Sequence, residues 1–361
     1  MKTIKSKSVT LYDVARYSGV SYQTVSRVIN KASNVSEKTR NKVEATMAEL
    51  NYVPNRGAQL LAGKLSHTFG LATSDLSLHA PSKTVAAVKK RADDFQFNVV
   101  ISMVDVADRE TCSMAVKHLL SHRVDGLIVN IPLEDADAMF IQQICGDVPV
   151  LFLDVSPDLK VDHIIFNPDQ GTRLGVEHLL NLGHRNIVLL SGPLSSVSAR
   201  LRHECWTKHL SAYDLKPAEV LYGDWSSFSG YREVSRMITG GCKPDAILAA
   251  NDQMALGALR ALSESGYSVP DDVSVIGYDD TEDSACFTPP LTTIKHDFNK
   301  LGSSCVEHLL ALIKGESRDS VLLPVTLVKR KTTMASDPNS PSPEVLADKL
   351  LCLARQVARL K

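Results

Sequence analysis

A chain of 361 residues exceeds one ordinary domain of roughly 100–200 residues, so two or three are expected. Its 44% hydrophobic and 22% charged residues are ordinary for a globular protein, and no apolar run reaches the roughly 18 residues of a membrane span. The basic start, Met1 to Ser8, has no apolar stretch behind it, which argues against a secretory signal. Seven cysteines (112, 145, 205, 242, 286, 305, 352) are odd in number, scattered and never spaced C-x-x-C. Neither a disulfide framework nor a zinc site is expected; a reducing, cytoplasmic compartment is. A nucleophilic role for one of them is the minor alternative.

The net charge of −1 conceals an asymmetry: residues 1–64 hold eleven Lys/Arg against four Asp/Glu. A basic head on an acidic body suggests that only the head meets a polyanion, a merely solvated segment being the alternative. The head reads as three short helices. Leu11 to Ser18 is the first, and Gly19-Val20-Ser21 turns the chain. Ser21 can cap a second over Tyr22 to Asn30, and Ser36 a third carrying Val43, Met47 and Leu50. Pro54 closes the unit, and Asn55 to Leu61 is a candidate fourth helix.

From His67 the texture changes. Strand candidates include Phe69–Thr73, Asn98–Met103, Gly126–Val129, Pro149–Leu153, Ile164–Phe166, Asn186–Leu190, Ala246–Ala250 and Val273–Tyr278. Amphipathic stretches such as Ser82–Phe95, Glu110–His122, Asp169–Leu182 and Gln253–Ser265 lie between them. The alternation predicts an α/β body of doubly wound parallel sheets, too large for one sheet and so two-lobed. Residues 335–343, with three prolines, read as a linker. Beyond it, Leu346, Leu350, Leu353, Val357 and Leu360 fall on a short heptad seam, with a helix docked on the body as the alternative.

Helical spacing sets Tyr22, Gln23, Ser26, Arg27 and Asn30 on one arc of about 140°, and Val25, Val28 and Ile29 on the other face. The apolar face suits packing on Val14 and Leu11. The polar face offers a phenol, an amide and a guanidinium, which read base edges in the major groove. Ser21, Thr24 and Asn30 flank them and suit phosphate oxygens. Two helices joined by a glycine-containing turn make a helix-turn-helix.

The segment Leu11 to Val28 (LYDVARYSGVSYQTVSRV) resembles the headpiece of the lactose/galactose repressor family of bacterial transcription factors. Further resemblance runs through Leu78–Ser82 (LHAPS), Ser198–Arg202 (SARLR), Asn251–Gly257 (NDQMALG), Gly277–Ser284 (GYDDTEDS), Pro289–Lys295 (PPLTTIK) and the leucine tail. It implies base contacts from Tyr22, Gln23 and Arg27, and backbone contact or support from Leu11, Tyr12, Ser21, Thr24, Asn30, Thr39, Tyr52 and Asn55. It also implies a hinge helix, including Ala58, that folds on operator DNA and wedges Leu61 into the minor groove. An isolated helix of eight residues is well below the roughly 12–15 that are stable alone. Gly57, Asn34, Thr84 and His296 depart from the pattern of the lactose-responsive branch, and the leader before Val9 is longer and more basic.

In open α/β sheets ligands bind beyond the carboxyl ends of the strands. Ser74, Asn130, Asp154, Asn251-Asp252 and Asp279-Asp280 stand at such ends, with Arg202 after the strand at 186–190. Each singly reads as well as a turn or cap. Together carboxylates, amides and an arginine suit a polyol, with Trp225 or Phe298 as an aromatic wall. The resemblance implies that Arg202, Asn251 and Asp279 hold ring hydroxyls of a galactoside such as allolactose. Asp154 and Asn130 would meet its hydroxymethyl group, Ser74 and Ser198 would lie beside it, and Leu78, Ala80, Pro81, Phe166, Trp225 and Phe298 would line the apolar side.

The implied organisation is a headpiece over 1–54, hinge and linker over 55–66, and a periplasmic-binding-protein-like core over 67–335. Lobe one would be about 67–166 and 296–325, lobe two about 167–295 and 326–335, with a linker over 336–343 and a tetramerisation helix over 344–361. His79, Lys89 and neighbours would help form a dimer face. The partners are operator double-stranded DNA, a galactoside inducer and further copies of the chain, at the bacterial nucleoid; no cofactor, metal or membrane is implied. Two alternatives stand beside this sugar-inducible repressor. One is a regulator of the same family with another effector or co-repressor. The other is an enzyme using Asp279-Asp280 or Glu282-Asp283, although no G-x-G-x-x-G, P-loop, G-x-S-x-G or H-E-x-x-H motif is found.

Overall fold

The computed structural model describes residues 9–29, 32, 34–53, 65–105, 108–336 and 350–355. The chain divides into two compact units, Met1–Ser66 and His67–Lys361.

In the first unit, helix α1 (Leu11–Ser18) opens on a capping box: the Thr10 hydroxyl accepts from the Asp13 amide, and the Asp13 carboxylate accepts from the Thr10 amide. Gly19, at φ +65°, ends it in the left-handed conformation that glycine adopts without a Cβ clash. Helix α2 (Tyr22–Ile29) starts where Ser21 Oγ accepts from the Thr24 amide at 3.1 Å, and α3 (Glu37–Glu49) is capped by Ser36. Val14, Ala15, Val25, Val28 and Val43 form the core among the three helices, with Leu11, Ile29, Met47, Leu50 and Tyr52 packed around it. The apolar arc of α2 therefore faces inward, as its spacing predicts.

The second unit holds two lobes. Lobe one is built on β1 (Thr68–Thr73), β2 (Asn98–Met103), β3 (Gly126–Asn130) and β4 (Val150–Phe152), parallel in the order β2-β1-β3-β4. A single parallel bridge, Phe152 to His163, leads to β5 (Ile164–Phe166), which pairs with β11 (Val321–Leu323). Helices α4 (His79–Asp94), α5 (Arg109–Ser121), α6 (Asp135–Cys145) and α11 (Phe298–Ile313) cover the sheet. Successive strand residues serve opposite faces: Leu71, Ile128 and Leu151 join one core, Ala72, Leu127, Val129 and Phe152 the other.

Lobe two is a six-stranded sheet of β6 (Ile187–Ser191), β7 (Val220–Tyr222), β8 (Ala246–Ala249), β9 (Ser274–Asp279), β10 (Thr292–Lys295) and β12 (Thr326–Val328). The order is β12-β10-β9-β8-β6-β7, with only β12 antiparallel to its neighbour. Helices α7 (Pro168–Asn181), α8 (Val197–Ser211), α9 (Ser227–Thr239) and α10 (Asp252–Glu264) cover it. The chain passes between lobes after β5, after β10 and after β11. Parallel strands deliver all their carboxyl ends to one edge of a sheet, and those edges carry the polar residues singled out above.

Four short strands, β7, β10, β11 and β12, go beyond those the sequence marked, and α4 begins at His79 rather than Ser82. Pro81 lies within its first turn, where the missing N–H costs no helical hydrogen bond.

Candidate functional site

The polar arc of α2 is open: Tyr22, Gln23 and Arg27 are exposed, and Ser26 and Thr24 half-buried. Tyr22 stacks on Tyr12 of α1, ring centroids 4.8 Å apart. That contact presents two phenols side by side, Tyr12 being 70% exposed. Ser21 and Thr24 hydroxyls bond to each other at 2.9 Å, and Thr39 is tied in the same way to Ser36. Leu11 and Tyr52 pack at the margin of the small core. Asn30, Asn55, Gly57, Ala58 and Leu61 lie outside the described residues.

In the second unit, all thirteen residues singled out for an effector line one cavity of about 180 Å³: Ser74, Leu78, Ala80, Pro81, Asn130, Asp154, Phe166, Ser198, Arg202, Trp225, Asn251, Asp279 and Phe298. They come from both lobes. Ser74, Asn130 and Asp154 follow or end β1, β3 and β4; Asn251 and Asp279 follow or end β8 and β9. Ser198 and Arg202 project from the first turns of α8. Thr84 and His296 line the cavity too, as do His79, Gln253 and Tyr278, which the sequence reading did not assign to it. Tyr278 precedes Asp279 and reads as ordinary strand core; only the lobe geometry brings it to the cavity wall.

Arg202 is held in place by its neighbours. Its guanidinium lies 4.1 Å from the Tyr278 ring centroid and 5.7 Å from that of Trp225, and donates to the Ala250 carbonyl. Trp225 itself takes a positive φ of 76°. Gly192 makes room for its indole, since a Cβ there would stand 2.5 Å from the ring. Asn251 has a structural duty: its Oδ1 accepts from the Met254 amide at 2.8 Å to cap α10, and its Nδ2 donates to the Trp225 carbonyl at 2.9 Å. One lone pair and one N–H remain for a ligand. Asp252, beside it, turns inward, accepting from the Thr281 amide and the Ser284 and Thr293 hydroxyls.

Asp279 and Asp280 serve different partners. Asp280 pairs with Arg330 at 2.6 Å and Lys295 at 3.3 Å, whereas Asp279 stands 3.3 Å from His296. They do not face each other as an acid–base couple, and Glu282 and Asp283 are exposed. Burial pushes the Asp154 carboxyl up to about 6, against the Arg202 charge and hydrogen bonds from Ser198 across the cleft. Burial pushes the Tyr278 phenol up to about 12, so it stays neutral. An ion pair from Arg200 to Glu134, at 2.5 Å, also spans the lobes.

Residues 10–55 match the bacterial regulatory proteins of the lacI family, and residues 176–333 match a periplasmic binding protein-like domain. The lactose operon repressor of Escherichia coli (strain K12) is 58% identical over 98% of this chain and 99% of its own length. This chain belongs to the lacI family. The lactose operon repressor of Klebsiella pneumoniae is 42% identical over 90% of the chain and 92% of its own. The crystal structure of a lac repressor dimer bound to operator and the anti-inducer ONPF superposes with a TM-score of 0.88 at 59% identity, covering 91% of this chain and 100% of that one. The lacI-family fold, helix-turn-helix head plus two-lobed periplasmic-binding-protein-like core, is thus the fold of this chain. No helix among the described residues is long and apolar enough to cross a membrane, and no group of His, Cys, Asp and Glu among them is placed to hold a metal ion.

Proposed function

We propose that this chain is a sugar-inducible transcriptional repressor that binds a pseudo-palindromic lac-type operator and is released by a galactoside. The observation that carries this reading is the cleft, where Asp154, Asn130, Arg202 and Asp279 surround one cavity walled by Trp225 and Phe298. Carboxylates and amides accept and donate to vicinal hydroxyls, an arginine binds two at once, and aromatic faces suit the apolar side of a sugar ring.

In this reading Tyr22, Gln23 and Arg27 contact bases, while Leu11, Tyr12, Ser21, Thr24, Asn30, Thr39, Tyr52 and Asn55 support the headpiece or meet the phosphate backbone. Ala58 and Leu61 belong to a hinge within 55–66. Arg202, Asn251 and Asp279 hold ring hydroxyls from lobe two, and Asp154 and Asn130 meet the sugar from lobe one. A ligand touching both lobes favours whichever lobe arrangement it fits better, and it shifts the equilibrium only by that difference in affinity. The favoured arrangement is one in which two headpieces of a dimer no longer match two half-sites. The heptad helix over 344–361 joins two dimers, so that two operators are held at high effective concentration. The role is binding without turnover, in the cytoplasm at the nucleoid.

Fluorescence anisotropy of a labelled pseudo-palindromic lac-type operator, at one fixed salt concentration, tests the proposal. Tight binding released by a β-galactoside is expected, with the galactoside recovered unchanged. Operator binding that tightens with effector would point instead to a co-repressor, and absence of specific binding would remove the headpiece assignment.

A further inference from the structure

His296 follows β10 directly and sits beside the end of β9, its amide bonding to the Asp279 carbonyl at 3.3 Å. Its imidazole is clamped: it stacks on Phe166 with ring centroids 3.9 Å apart and planes 6° apart, and Tyr278 and Phe298 meet it edge-on. Nδ1 lies 3.3 Å from Asp279 Oδ1. Yet Asp279 Oδ1 and His296 Nε2 are both buried with no well-aimed hydrogen bond. A buried acceptor left open at the wall of a polar cavity is built for a donor that arrives from the cavity. Asp279 is itself held at φ +111°, so its direction is set by the backbone as well as by its neighbour.

We propose that His296 is a positioning residue for sugar recognition: as neutral imidazole its Nδ1–H steadies Asp279 Oδ1 by a long contact and leaves that oxygen a lone pair for a ligand hydroxyl, and as imidazolium it pairs with the carboxylate charge and competes with the hydroxyl. The proposal rests on the galactoside reading of the cavity. Its consequence is an inducer response that weakens in acid. The charged groups facing the ring are Asp279 from β9, Arg202 from α8 and His79 from α4; beyond His79 lie Lys83, Asp280 and Asp283. Burial lowers the His296 pKa and the Asp279 carboxylate acts against it, which keeps the ring neutral near pH 7. A bound sugar removes water from the pair and fills Oδ1, so it disfavours the imidazolium further. Ligand binding then expels a proton wherever His296 is partly charged. By linkage, affinity falls as pH drops below the ordinary histidine range.

Two measurements on the full chain decide this. The first is calorimetric titration with isopropyl β-D-thiogalactoside between pH 5 and 8, for wild type, His296→Gln and His296→Leu. The second follows the His296 imidazole by NMR with labelled histidine, assigned by loss of its signal in His296→Gln. Asp154 also titrates near pH 6 and would itself weaken binding in acid, so the NMR midpoint isolates the imidazole. The wild-type dissociation constant is expected to rise severalfold more in acid than that of His296→Gln. His296→Leu should bind weakly at every pH, and saturating galactoside should lower the His296 midpoint by at least half a pH unit. Operator affinity of each variant reports that it is folded. Parallel pH profiles for wild type and His296→Gln, or a midpoint that galactoside leaves in place, overturn the proposal while the galactoside site stands. If no galactoside binds at any pH, the site reading itself is lost and the proposal falls with it.

Discussion

Arg202 gathers most of the chemistry of the cleft at the scale of single residues. It is stacked on Tyr278, hydrogen-bonded to Ala250 and within reach of Asp154's field. Such preorganisation lowers the ordering cost of binding a hydroxyl pair. Arg202→Ala is expected to weaken galactoside binding about 10–100-fold, the range of about 1.5–3 kcal/mol for hydrogen bonds to a charged group. Calorimetry would show this, with operator affinity retained in the absence of sugar. Titration of buried histidines gives a second expectation. His178, half-buried on α7 and bonded through Nε2 to the Thr333 hydroxyl at 3.0 Å, is pushed down to about 4 by burial. The unfolded chain binds its proton near pH 6.5, the folded chain only near 4. Its contribution to stability is therefore complete above about pH 6.5 and lost as pH falls towards 4. Thermal melts should show a smaller drop between pH 7 and pH 4.5 for His178→Gln than for wild type.

Elements meet through glycine at the closest approach in lobe two. Helices α9 and α10 pack so tightly that a Cβ on Gly257 would stand 1.9 Å from the Ser227 carbonyl oxygen, and one on Gly230 would stand 2.2 Å from that of Met254. These are backbone atoms, which cannot swing aside as a side-chain tip does. Gly257→Ala should cost about 3 kcal/mol or more of stability, the upper range for overpacked sites, and urea unfolding followed by circular dichroism would measure it. The sequence signals for elements were strong where the element is long. The helices of the body carry 3.6-residue periodicity and capping residues such as Asp108, Ser196 and Ser226. The strands β7, β10, β11 and β12 have three or four residues each, too few for a period to register. Their conformation comes from the neighbour they pair with: Thr292-Thr-Ile-Lys295 is a strand because β9 lies alongside it in register.

At the scale of the whole molecule, self-association is expected at the leucine-rich tail. Leu350 and Leu353 lie in a helical stretch over 350–355 and are 66% and 60% exposed. Leu346, Val357 and Leu360 lie outside the described residues. Exposed leucines on one seam call for a partner helix. Removing residues 344–361 is expected to convert tetramers into dimers in sedimentation, leaving affinity for a single operator but abolishing the simultaneous capture of two. Sedimentation that is unchanged by the truncation would refute the role of the tail.

The sequence by itself determined the local structure and the chemistry on offer. The basic head, the capped helices, the inward valines of α2, the alternation of strand and helix, and the polar residues at strand ends are all written in short-range patterns. Tertiary structure decided which of those residues meet. Asp154 and Asp279 belong to different lobes, and only the three crossovers bring their strand ends to one cavity. Asn251 was legible as a polar residue at a strand end, yet its bond to the Trp225 carbonyl appears only in the fold. His296 was legible as a departure from the family pattern, but its clamp on Phe166 and its approach to Asp279 were not. The reason is physical: periodicity and capping depend on neighbours along the chain, whereas burial, protonation and pairing depend on residues brought close by long-range packing.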